Sequence, residues 1–160
     1  MQFALLAAAL SAAAPLIALG SETWPGLAPC ALCLWQRWPY WVAAAIAVVA
    51  AFLPEEARRW ALRASAVAVL VSGAIAFLHV GVEFKFWPSP LPACQAATAG
   101  PTATVEDLMR SLAPGANKPC DEPAFFFDFL PFSIAEMNLV YALCLAIFIW
   151  RGTLAPKPRG

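Results

Sequence analysis

The sequence predicts an all-α integral membrane protein: a four-helix bundle with a long outer loop carrying a short amphipathic helix. Three observations predict it. The 160 residues are 62% hydrophobic and 12% charged, far from the ~45–50% apolar and ~25% charged of soluble domains. Four apolar stretches, each bounded by charge or proline, approach the ~17–25 residues that a spanning helix needs. Eight of the 15 prolines fall between residues 88 and 131, which marks one long non-helical segment rather than broken helices. The net charge is zero, so nothing global points to nucleic acid. The lipid bilayer is the expected partner.

A single membrane domain over 1–160 is expected, with spans at about 2–20, 34–53, 63–82 and 133–150. The first carries no charged side chain. Ala18 and Gly20 are small residues at a spacing that suits signal cleavage, but no Lys or Arg precedes the apolar run, which favours a retained helix. The second span is short in its uncharged part, 38–53, and long enough when counted back to Ala31, with Gln36 and Arg37 near one mouth. The third, from Ala64 to Val82, has His79 as its only titratable residue, and the fourth opens with Glu136 and Asn138.

Orientation follows from Lys and Arg. Arg58, Arg59 and Arg63 crowd the connector after the second span, and Arg151, Lys157 and Arg159 occupy the tail. Connector 54–62 and tail 151–160 are therefore expected in the cytoplasm. The loops 21–33 and 83–132 then face outward, into the periplasm of a bacterium whose inner membrane holds the chain.

Five cysteines leave one over from any fully paired scheme. Cys30-Ala31-Leu32-Cys33 is a Cys-x-x-Cys motif at the outer end of the second span, where a helix N-terminus favours the thiolate. The motif alone admits redox, zinc and structural readings. Leu34 in place of His disfavours haem attachment, and outward placement in an oxidising compartment favours redox. Cys94 and Cys120 lie in the second outer loop. They suit a disulfide that staples the loop, worth ~3 kcal/mol at this loop size, or a second exchange-active pair. An all-thiolate zinc site from the four outward cysteines is the weaker option, since the second pair lacks short spacing. Cys144, among Leu143, Leu145 and Ala146, is assigned no role.

Other features are weighed in the same way. Thr104 resembles a helix N-cap, and Val105, Leu108, Met109 and Leu112 follow at helical spacing, so a short amphipathic helix is expected on the membrane surface or on the loop's own core. The aromatic run from Phe125 to Phe129 reads as anchoring. Arg37 lies one helical turn after Cys33, as a snorkelling cation or as a charge held beside a thiolate and a polar head group. Pro39 starts or kinks the helix near its outer end. His79 and Glu83 are spaced i, i+4, and a histidine inside a span is a functional candidate.

Taken together, these residues resemble the DsbB family of quinone-linked thiol oxidases. The resemblance rests on four spans, on Cys30-Ala31-Leu32-Cys33-Leu34-Trp35-Gln36-Arg37, on His79, and on Cys94 and Cys120 with Asp121, Glu122 and Ser133 following. It implies a disulfide-generating oxidoreductase that reoxidises a soluble DsbA-like dithiol protein of the periplasm and passes the electrons to the membrane quinone pool, ubiquinone or menaquinone. The implied relay starts with the partner's thiolate attacking the Cys94–Cys120 disulfide at Cys94. Cys120 then passes the reducing equivalents to Cys30, and Cys33 delivers them to the quinone. Arg37 would polarise the quinone, and His79 would help to shape or protonate its site. The near-absent N-terminal segment, Pro39 and the stretch between Cys120 and Ser133 depart from the family pattern. The rival readings are a vitamin K epoxide reductase-like enzyme, a metal-handling membrane protein and a disulfide-stapled structural protein.

Overall fold

The computed structural model describes residues 1–23, 28–91, 94, 105, 119–126 and 131–154. Four helices carry the fold: α1 (Gln2–Thr23), α2 (Ala31–Phe52), α3 (Glu55–Glu83) and α4 (Ile134–Leu154). Among the described residues there is no strand beyond one isolated bridge from Phe125 to Ser133. By length and composition α1, α3 and α4 can each cross a membrane. In α2 the polar pair Gln36-Arg37 interrupts the apolar run. The surface helix expected after Thr104 lies, Val105 apart, outside the described residues, as does the end of the aromatic run.

Burial is inverted relative to a soluble protein. The core is built largely from small residues, including Ala4, Ala7, Ala43, Ala47, Ala50, Ala66, Ala76 and Ala142, while Leu16, Val49, Phe52, Phe77, Val140 and Ile147 are exposed. In water that arrangement would forfeit the main stabilising term of folding. In lipid it is the expected one, because helices there associate through close backbone approach over small residues. The protein is an all-α four-helix membrane bundle.

The helices follow one another around the bundle. α2 packs along α1 and α3, and α3 packs along α4. Ser65 and Ser72 of α3 donate to the Ala43 and Gln36 carbonyls of α2 at 2.9 and 2.7 Å. Serine is small enough for close approach and satisfies its own hydroxyl on the neighbouring backbone. α1 and α4 meet more narrowly. Their contacts lie toward the N-terminal end of α1, where Phe3 meets Phe148 at a tilt with centroids 5.3 Å apart and packs onto Gly152. Farther out, Tyr141 donates to the Leu10 carbonyl at 2.7 Å. Beyond that point the two helices leave space between them.

Helix ends differ from what hydropathy alone suggested. The segment 54–62, read as a connector, is helical from Glu55. Glu55 at the helix start pairs with Arg58 and Arg59, and Arg58 also donates to the Ala50 and Leu53 carbonyls that close α2. Hydropathy registers where charge begins, whereas the helix ends where its hydrogen bonds do. Likewise α2 starts at Ala31, so Cys33 sits in the first turn of a helix rather than in the preceding loop. The helix continues through Pro39. α3 ends in a Schellman motif, with Phe86 N–H on the Gly81 carbonyl, Lys85 N–H on the Val82 carbonyl, and Lys85 left-handed at φ 60. Trp87 folds back over Gly81, where a Cβ would collide with the indole, and donates to the Leu78 carbonyl.

Candidate active site

The N-terminal end of α2 organises the site. Cys30 is the N-cap, and its Sγ accepts from the Cys33 backbone N–H at 3.2 Å. This geometry places the two sulfurs side by side as thiols, 2.8 Å apart, with Cys30 buried and Cys33 partly open. Burial and the hydrogen bond to Cys33, the latter the larger cause, push the Cys30 thiol well up from its ordinary value. Cys30 is accordingly the S–H donor of the pair and Cys33 the acceptor.

Cys94 and Cys120 form a disulfide, and both are buried against Cys30, Ala31, Leu32 and Val82. Cys120 N–H donates to the Cys94 carbonyl at 3.1 Å, which fixes one edge of the bridge. The Cys30 and Cys120 sulfurs and a ring nitrogen of His79 lie within 4.8 Å of one another. The segment between α3 and α4 therefore brings its disulfide onto the cysteine that caps α2. Sequence spacing leaves that juxtaposition undetermined.

His79 is buried in α3 with Nε2 3.5 Å from Cys30 Sγ and Nδ1 3.0 Å from Gln36 Nε2. Glu83, one turn on, brings Oε1 to 3.8 Å from Nε2. Its Oε2 accepts from the Ser133 hydroxyl at 2.6 Å. Ser133 caps α4 in a reciprocal box with Glu136: Ser133 N–H reaches Glu136 Oε2 at 2.7 Å, and Glu136 N–H reaches Ser133 Oγ at 3.2 Å. The end of α3 and the start of α4 are thus locked together beside the cysteines.

Cys33 and Arg37 open onto a cavity of about 260 Å³ in the space between the outer halves of α1 and α4. Pro15, Ala18, Ile134 and Met137 contribute apolar wall, and Gln36, Tyr40 and Asn138 contribute polar atoms. Ligand sites of this kind are mostly apolar with a few placed polar groups. Arg37 forms an ion pair with Glu22 of α1 through Nη2, while its buried Nε has no hydrogen-bond partner among the described residues. An unsatisfied buried guanidinium N–H in an apolar cavity suits a ligand that presents a carbonyl oxygen.

Of the residues singled out in the sequence, the structure gathers Cys30, Cys94, Cys120 and His79 into one cluster. Cys33 and Arg37 border it on the cavity side. Cys144 stands apart, exposed on α4. Sequence reasoning missed Glu22, Tyr40 and the link through Asn138. A lone acid at the end of an uncharged span and a polar residue one turn into the fourth were the available signals. Neither shows which side chain it meets.

The family model for Disulfide bond formation protein DsbB matches residues 1–151. No curated protein and no solved structure matches the chain.

Proposed function

The chain belongs to the DsbB family and is a membrane disulfide-generating oxidoreductase; we propose that it oxidises a soluble periplasmic DsbA-like dithiol protein at the expense of a membrane quinone. The observation that carries the electron path is the placement of Cys120, within 4.8 Å of Cys30 while bonded to Cys94. In this reading a donor thiolate attacks Cys94, forms a mixed disulfide and releases Cys120 as the thiolate. Cys120 attacks Cys30 of the oxidised Cys30–Cys33 pair, and Cys33 leaves as a thiolate. The donor's second thiol then displaces Cys94, which attacks Cys120 and releases Cys30. The donor ends as a disulfide, the loop disulfide is restored, and two electrons rest on Cys30 and Cys33. Both loop cysteines are buried, so the attack on Cys94 requires the loop to part from the bundle first.

A bound quinone supplies an acceptor for two electrons and two protons. The cavity beside Cys33 suits its head group, and the gap between α1 and α4 suits entry from the lipid side. Arg37 would hold a carbonyl oxygen there and balance the Cys33 thiolate, since a desolvated anion is costly without a partner charge. Glu22 would keep the guanidinium aimed. Arg58, Arg59 and Arg63 at one end of the bundle support a cytoplasmic position for that end and a periplasmic one for the cysteines.

The test is quinone reduction by purified protein supplied with a reduced DsbA-like donor, for both ubiquinone and menaquinone. Catalytic loss of donor thiols matched one for one by reduced quinone supports the proposal. Absence of quinone reduction with either acceptor, while the Cys94–Cys120 bond still exchanges with the donor, would refute it.

A further inference from the structure

Five hydrogen bonds join Tyr40 to Cys33, and all point the same way. The Tyr40 hydroxyl donates to Asn138 Oδ1 at 2.9 Å, and Asn138 Nδ2 donates to Gln36 Oε1 at 2.7 Å. Gln36 Nε2 then faces His79 Nδ1 at 3.0 Å. An amide nitrogen only donates, so Nδ1 is the acceptor, and the neutral ring carries its proton on Nε2. The Nε2 proton faces Cys30 Sγ at 3.5 Å, nearer than Glu83 Oε1 at 3.8 Å from the same nitrogen. Cys30 in turn donates to Cys33 Sγ at 2.8 Å. Tyr40, Asn138, Gln36 and Cys33 all line the cavity, so the chain of donors leaves the cavity wall and returns to it at the sulfur.

We propose that Gln36, Asn138 and Tyr40 are positioning residues, which hold His79 in its Nε2–H tautomer and so direct an aligned row of donors onto Cys33. Aligned hydrogen bonds in a low-dielectric interior polarise one another, and a thiolate in an apolar site depends on such donors. The charges around Cys33 leave room for this effect. Arg37 of α2 is partly neutralised by Glu22 of α1. Glu83 of α3 and Glu136 of α4 add negative charge nearby, and Tyr141 of α4 shares the cavity wall. Donors relayed through Cys30 stabilise the Cys33 anion without adding a formal charge. The role of Cys33 as electron donor rests on the function proposed above, but the tautomer and the thiolate are measurable without turnover.

His79 is the chain's one histidine. NMR of untagged, full-length protein with its histidine nitrogens isotope-labelled, reduced and quinone-depleted in nanodiscs, therefore reads a single ring. The Nε2–H tautomer is expected, and Nδ1–H in the wild type overturns the proposal outright. It would mean that the amides are turned and Nε2 accepts from Cys30. A second measurement follows the pH dependence of Cys33 alkylation by iodoacetamide, resolved from Cys30 by mass spectrometry. Gln36→Leu is expected to move the midpoint of the Cys33 alkylation profile up by about one pH unit, a tenfold slowing at pH values below that midpoint. Tyr40→Phe, at the far end of the chain, is expected to slow alkylation about twofold in the same direction. In a His79→Phe background Gln36→Leu should have no further effect. An equal slowing with and without His79 would show that Gln36 acts through packing alone, and the positioning role would be lost.

Discussion

The inner and outer halves of this bundle solve different problems with the same four helices. Inside, Ala47, Ala50, Ala66 and Ala146 belong to one core of small apolar side chains, and Phe3 closes α1 on α4 over Gly152. Arg63 at that end lies between the Trp60 and Trp150 rings, 5.0 and 5.5 Å from their centroids. Outside, α1 and α4 diverge, and the interior fills with Gln36, His79, Glu83, Ser133 and Asn138, each engaged by another side chain. Close packing of small apolar groups gives a rigid frame that has no chemistry. A buried polar network is costly unless it is complete. Where it is complete, it can hold charge next to sulfur. The lesson is a division of labour along the helix axes.

The largest effects should come from the outer half. Replacing Cys30, Cys33, Cys94 or Cys120 by Ser is expected to abolish steady-state oxidation of the donor, because each exchange uses both members of a pair. Normal turnover in Cys94→Ser, measured as quinone reduction, would leave the loop bridge a staple and erase the contrast. Next comes Arg37→Ala, for which kcat/KM toward quinone should fall about 10²- to 10³-fold, the usual effect of removing one oriented donor from developing charge. Arg37→Lys keeps the charge without the planar fork and should retain partial activity. Exchange between the donor and Cys94–Cys120 should survive both substitutions. Unchanged quinone kinetics in Arg37→Ala would reduce Arg37 to a snorkelling anchor.

The inner half should answer in stability rather than rate. Ala47→Leu overpacks the buried alanine core and is expected to cost about 1–3 kcal/mol, read as a lower unfolding midpoint in detergent. The quinone KM should hold below that midpoint, and a change in KM without a loss of stability would show that the halves are not separable. Smallest of all, Lys85→Gly removes a side chain from a left-handed position and should add up to about 1 kcal/mol of stability. Cys144→Ala, on an exposed face, should change stability and turnover within error.

Legibility in the sequence divides along the same line. The membrane class, the four apolar stretches and the Cys-x-x-Cys motif are local properties of composition and spacing, and they were readable. So was His79 with Glu83, because i, i+4 neighbours share a helix face by geometry alone. The start of α2 was readable only as a choice between Ala31 and the residues after Cys33, and the cap that Cys30 makes through its own sulfur decides for Ala31. The partner of Arg37 was not readable, for Glu22 lies on another helix.

By itself, the sequence determined that this chain belongs in lipid, that it is helical, and that it carries a Cys-x-x-Cys pair one helical turn before a basic residue. Hydrophobicity and short-range periodicity act residue by residue, so they survive in one dimension. Only the tertiary structure decided that Cys120 meets Cys30, that Gln36 orders His79, and that the space between α1 and α4 opens beside Cys33. Those facts depend on residues as far apart as Gln36 and Asn138, 102 positions along the chain. Their contact exists because small residues on α2, α3 and α4 let the helices come close.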